Sequence, residues 1–173
     1  LYHIDGLTPE AKELGKKLIK KDAKVYTITD RELEKVYKSY PVLWKNINAK
    51  PSLCFIGCPH LSKSQLESWA NNILEGLKNN GRTKVTTRTI LTTSPQIADK
   101  FRETDLCKKL YKAGVKVSSI CPLMYTNNPL AGKKPIITCS NKLRTYSSSR
   151  FYKSDDILKI ITGGNLWKNL AVE

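Results

Sequence analysis

Apolar positions along this chain follow two periods, short continuous or alternating runs that suit strands and i, i+3, i+4 spacings that suit amphipathic helices. Thr8-Pro9-Glu10-Ala11 opens a helix with Ala11, Leu14 and Leu18 on one face, running to about Lys20. Lys24–Ile28 predicts a strand. Thr29 with Glu32 then predicts a capping box, stapled by Ile28 and Leu33, for a helix that ends near Tyr40. Val42–Lys50 holds Trp44 but no clear period and reads as a connection. Leu53–Ile56 is the central strand, ended by Gly57, and the following turn presents Cys58 and His60. Ser62 and Gln65 make another capping box, with Leu61 and Leu66 as its staple. From there Leu66, Trp69, Ala70, Ile73, Leu74 and Leu77 bury one helix face, until Asn80-Gly81 stops it.

The second half repeats this rhythm. Lys84–Thr92 predicts a strand, and Thr93-Ser94-Pro95 caps a helix whose phase slips at Thr104-Asp105, where a second helix using Leu106, Leu110 and Ala113 begins. Val115–Ile120 predicts a strand ending at Cys121-Pro122, and Pro135–Thr138 a short one ending at Cys139-Ser140. Ser154-Asp155-Asp156-Ile157 caps a last helix that stops at Gly163-Gly164. Alternating strands and capped helices predict one α/β domain over residues 1–173, a three-layer fold with a mainly parallel sheet and helices on both faces. Ligands bind such sheets at the carboxyl ends of the strands. Cys58, Cys121 and Cys139 each follow an apolar strand, so all three are expected at one rim, whereas Cys54 inside its strand and Cys107 inside a helix are expected in the core.

Composition narrows the classes. A chain of 173 residues can bury roughly two-thirds of the surface its unfolded form exposes, without disulfide staples. No apolar run approaches the roughly 20 residues of a membrane span and no signal-peptide pattern opens the chain, so a cytoplasmic protein without a membrane partner is expected. Five cysteines, an odd number, argue for reduced thiols, left to burial or metal binding. The formal charge is +15. From Leu106 to Ser154 there are ten Lys and Arg but no Asp or Glu, so the second half is where an anionic small molecule would go.

Each candidate constellation has a plain alternative. Three thiols at one rim suit an iron–sulfur cluster, or are buried hydrophobes. A zinc site from Cys54, Cys58 and His60 lacks the fourth ligand and any compact CxxC pair. Cys139 to Arg144 places arginine one residue too early for a phosphatase loop and has no glycine. Ser140, Asn141 and the amides opening the next helix, with Lys142 and Arg144, would suit a carboxylate or phosphate, or form an ordinary N-cap. The tyrosines of the basic half form no single-strand-binding motif, and nucleic acid is not the expected partner.

Gly57-Cys58-Pro59-His60-Leu61-Ser62, together with the opening Leu1-Tyr2-His3-Ile4-Asp5-Gly6-Leu7-Thr8-Pro9-Glu10-Ala11, resembles the catalytic large subunit of the aconitase X family. Thr92-Thr93-Ser94-Pro95, Cys121 ahead of Leu123, and Thr138-Cys139-Ser140-Asn141-Lys142 follow in the family's order. The resemblance covers the whole chain as the C-terminal part of such a subunit. It implies a hydro-lyase with an iron–sulfur centre of the 4Fe-4S type, whose open iron acts as a Lewis acid on the departing hydroxyl. Bacterial members resemble cis-3-hydroxy-L-proline dehydratases. Archaeal two-subunit members convert mevalonate 5-phosphate to trans-anhydromevalonate 5-phosphate in isoprenoid synthesis, and the basic second half favours that phosphorylated substrate. Carried over by position, Cys58 and Cys121 are cluster ligands, His60 and Ser62 line the site as catalytic residues, and Ser140 and Lys142 hold the substrate's anion, with His3 in reach. Cys139 stands where the family has Asn and is a further candidate ligand. The implied partners are a small swivelling subunit, bringing a serine base, and the N-terminal catalytic portion, bringing the third cluster ligand. The rival class is a basic nucleic-acid-binding module with a decayed site.

Overall fold

The computed structural model describes residues 2–129 and 132–163. The chain divides into two compact units, Leu1–Ser39 and Tyr40–Glu173. In the first, Ala11 is the one buried apolar residue among those described. Helix α1 (Pro9–Leu14) starts where Thr8-Pro9 predicts, but ends at Gly15 (φ 51°) in a 3-10 turn, Gly15–Leu18, short of Lys20. Lys24–Ile28 is not a strand. It has β-forming residues but no pairing strand among those described, and a lone strand leaves its amides and carbonyls unpaired. Helix α2 (Asp30–Lys38) does begin at the predicted box. The Thr29 amide donates to Glu32 Oε2 at 3.0 Å and the Thr29 hydroxyl donates to the same oxygen, which holds the Glu32 carboxyl below its ordinary pKa.

The second unit is built on five parallel strands, β1 (Leu53–Leu61), β2 (Arg88–Thr93), β3 (Val115–Ser118), β4 (Ile136–Thr138) and β5 (Arg150–Phe151), in the order β3-β2-β1-β4-β5. Helices α3 (Lys63–Asn79), α4 (Pro95–Arg102), α5 (Asp105–Lys112) and α8 (Ser154–Gly163) cover one face; the short α6 (Pro122–Thr126) and α7 (Asn141–Thr145) cover the other. Strand residues alternate between two cores. Cys54, Ile56, Leu91 and Ile137 pack with Leu66, Ile73, Leu110 and Ile157, while Leu53, Phe55 and Ile136 pack with Leu143. Apolar side chains on both faces of the inner strands are what a covered parallel sheet requires. The predicted three-layer α/β architecture is therefore present, and Gly164 lies outside the described residues.

The winding reverses once. From β1 through β2 to β3 the connections lie on the α3 face; from β3 the chain steps back past β1 to β4, and right-handed crossover then puts α6 and α7 on the opposite face. The reversal lies between β1 and β4, and the carboxyl ends at such a switch point are where α/β sheets bind ligands.

Two elements differ from the sequence reading. Strand β5 carries no apolar run to announce it. It is fastened by the segment from Tyr40 to Ile47, where Trp44 Nε1 donates to Ser148 O at 3.0 Å and Arg150 Nη1 donates to Ile47 O at 3.3 Å. The Arg150 guanidinium also lies 5.1 Å from the Tyr152 ring, and Arg144 lies 3.8 Å above the Tyr40 ring. Strand β1 runs on past Gly57 to Leu61 with a shift in register against β2, so the predicted turn is an irregular continuation of the strand. No helix among the described residues is long and apolar enough to cross a membrane.

Candidate active site

Hydroxyl groups tie the carboxyl end of β1 to β2 on one side and to the end of β4 on the other. Gly57 sits at φ 108° with space for nothing larger, since a Cβ there would lie 2.3 Å from Thr92 O and 2.7 Å from Thr92 Oγ1. This close approach lets Thr92 Oγ1 donate to Gly57 O at 2.5 Å, while Thr93 Oγ1 donates to Leu61 O at 2.6 Å. Both threonines are fully buried, so the two ends of the irregular segment are held to β2 by bonds shielded from water. Between them the Cys58-Pro59 peptide is cis, and Ser140 Oγ donates to Cys58 O. Ser140 Oγ also accepts from Leu143 N at 3.0 Å, capping α7, and its own amide donates to Thr138 Oγ1 at 3.0 Å.

The Cys58 loop is thus anchored at both ends and in the middle, and its exposed side chains are displayed from a fixed frame. His60 and Ser62 are exposed at the end of β1. Ser62 is the predicted N-cap, its Oγ accepting from Gln65 N at 3.3 Å while Gln65 Oε1 accepts from Ser62 N at 2.9 Å. Cys58 is half-buried and packs with Phe55, Leu143 and Leu123 on the α7 face. Cys121 is half-buried at the N-cap of α6. Lys142, on the first turn of α7, is exposed, whereas Ser140 is 6% exposed and already engaged by Cys58 O and Leu143 N. Arg144 is occupied as well, its Nε donating to Asn141 Oδ1 at 3.1 Å beneath its stack on Tyr40.

One expectation is corrected. The three strand-end thiols do not form one cluster, because Cys139 packs into the α3/α8 core while Cys58 lies on the opposite face of the sheet. Cys139 follows Ile137 by two residues, and the strand alternation sends it to Ile137's side. Burial pushes its thiol pKa up against a hydrogen bond from Ser154 that lowers it; Cys54 beside it is raised well above the ordinary value, by burial first and by Cys139 second. His3 belongs to the first unit, where its Nδ1 lies 3.8 Å from Glu10 Oε2. Cys54 and Cys107 are core residues, as expected.

Among the described residues no group of three His, Cys, Asp or Glu side chains stands together as a metal site. Cys58 and Cys121 are two thiols, fewer than the thiolate set that an iron–sulfur cluster takes. Sequence reasoning missed the anchoring role of Thr92 and Thr93. The available signal was two adjacent hydroxyls at the carboxyl end of an apolar strand, which necessarily leave the backbone on opposite sides.

Residues 51–158 match the family described as aconitase X third domain. Over 117 residues the chain is 32% identical to the phosphomevalonate dehydratase large subunit of Methanosarcina mazei, an alignment covering 68% of this chain and 25% of that protein. The crystal structure of Thermococcus kodakaraensis aconitase X in its holo-form superposes with a TM-score of 0.61 at 20% identity, over 81% of this chain and 36% of that one; this second likeness is one of fold. The chain therefore spans about a quarter of the length of the curated relative it matches. By its third-domain sequence and its five-stranded parallel sheet, the chain belongs to the aconitase X family.

Proposed function

We propose that this chain is the C-terminal portion of a dehydratase large subunit that converts mevalonate 5-phosphate to trans-anhydromevalonate 5-phosphate. The observation that carries the reading is the anchored Cys58 loop, held by Ser140 at the switch point between β1 and β4, in a family whose named relative is a phosphomevalonate dehydratase large subunit. In this reading Cys58 and Cys121 contribute thiolates to an iron–sulfur centre whose remaining ligands come from the N-terminal portion of the subunit. His60, exposed at the rim, faces the substrate and exchanges protons with it; Ser62 orients that rim through the α3 cap. Lys142 and the acid-free stretch around it attract the phosphate, with Ser140 fixing the α7 amides that face it. A phosphate ester suits this surface better than the zwitterion of cis-3-hydroxy-L-proline. A small subunit closing over these strand ends would exclude water from them.

Anaerobic iron and sulfide analysis with visible absorption tests the reading, on this chain alone and with the N-terminal portion and small subunit added. Iron and dehydration of mevalonate 5-phosphate are expected in the complete assembly, and Cys58→Ser should abolish both. An assembly that binds no iron, or a Cys58→Ser assembly with unchanged turnover, overturns it.

A further inference from the structure

The first unit presents apolar surface that it does not bury. Ten of the seventeen exposed large apolar side chains among the described residues lie in Leu1–Ser39, less than a quarter of the chain. Val25 and Tyr26 are 89% and 78% exposed, and Ile28, Leu33 and Val36 are exposed with them. Scattered apolar residues on a surface need no explanation, but a contiguous set on one short segment marks an interaction site. This set is also preformed: the Thr29–Glu32 box fixes the start of α2, and Leu33 and Val36 share one of its faces at i, i+3 spacing. Sequence that encodes an amphipathic helix and buries none of its residues encodes a face for something else.

Charge and position identify the occupant. Leu1–Ser39 holds nine basic and seven acidic residues, a balance of +2, against 21 and eight, or +13, in Tyr40–Glu173. The apolar segment is the nearly neutral part of a basic protein, which suits a protein surface and not a polyanion. It also lies ahead of residue 51, where the third-domain match begins, while three-quarters of the curated relative lies outside its alignment with this chain. We propose that the apolar side chains of residues 25–36 form a docking surface for the part of an aconitase X large subunit that precedes the third domain. This inference rests on the large-subunit reading above and names the surface through which that partner is held.

The test uses the full 173-residue chain and, as probe, a purified polypeptide carrying the aconitase X domains that precede the third. Titration by sedimentation or calorimetry should give a one-to-one complex, and Leu33→Asp with Val36→Asp should weaken it by about 30-fold or more, the order expected for two anchors at an interface centre. Amide exchange over residues 25–36 should slow on binding. Both substituted side chains are exposed, so an unchanged circular dichroism spectrum certifies the variant. No complex, an affinity indifferent to the two substitutions, or self-association of the chain that the substitutions abolish would each overturn the proposal. The two readings fail separately. A complex that depends on Leu33 and Val36 but lacks iron and dehydration overturns the activity alone. Dehydration undiminished by the double substitution overturns the docking surface alone.

Discussion

Five thiols in one small domain occupy three distinct environments. Cys54 and Cys107 are fully buried, Cys139 is half-buried against the larger core, and Cys58 and Cys121 are half-exposed, one in the carboxyl-terminal part of β1 and the other at the N-cap of α6. Only a thiolate reacts with an alkylating agent, and a thiol whose pKa is raised holds less thiolate at any given pH. Burial raises Cys54 and Cys139, so iodoacetamide at pH 8 should modify Cys58 and Cys121 first. Cys139 should react only as pH climbs past its ordinary value. Peptide mass spectrometry over a time course reads this directly, and early labelling of Cys139 would contradict its placement in the α3/α8 core. The sorting of Cys54 and Cys107 into the core was legible in the sequence, since each sits inside a periodic element. The placement of Cys139 was not, because the side to which a strand-end residue turns depends on the phase of the strand next to it.

At the scale of elements, β1 is the informative case. Its apolar start and its capping-box finish at Ser62 were both readable, yet the glycine between them suggests a turn. In the folded unit Gly57 does not stop the strand; it allows Thr92 to approach within bonding distance of its carbonyl. A methyl group at Gly57 would meet a backbone oxygen at 2.3 Å with φ at 108°. Gly57→Ala should therefore cost about 2–4 kcal/mol, from strained backbone and steric displacement together. Urea denaturation measures the loss, and a variant within 0.5 kcal/mol or so of the parent, the range of ordinary surface substitutions, would show that the contact is not tight. The clasp that joins Trp44 to Ser148 and Arg150 to Ile47 belongs to the same scale. No period announces it, since its strength comes from groups more than 100 positions apart.

At the scale of the whole molecule, charge and topology act together. The +13 of the second unit accompanies a sheet whose winding reverses between β1 and β4, and the anchored Cys58 loop and the exposed Lys142 stand at the carboxyl ends of those two strands. Attraction of a doubly charged ester to exposed lysines is screened over roughly 10 Å at 0.1 M salt. If the proposed function holds, raising salt from about 0.05 to 0.5 M should increase the assembly's KM for mevalonate 5-phosphate by roughly threefold with little change in kcat, because screening weakens capture and leaves the chemical step alone. Steady-state kinetics in potassium chloride decide it, and a KM unmoved by salt would remove the basic face from substrate capture.

The sequence by itself determined the α/β class, the order of the long helices and of β1 to β4, the cap of nearly every long helix and the two core cysteines. These follow from local periodicity and from side chains that bond within three or four residues of themselves. Only the tertiary structure decided that β1 continues through Gly57, that Lys24–Ile28 stays unpaired, that Cys139 and Cys58 part to opposite faces, and that Ser140 serves the Cys58 loop. Each of these depends on which strand lies alongside which, and that is settled by packing between residues far apart in the chain.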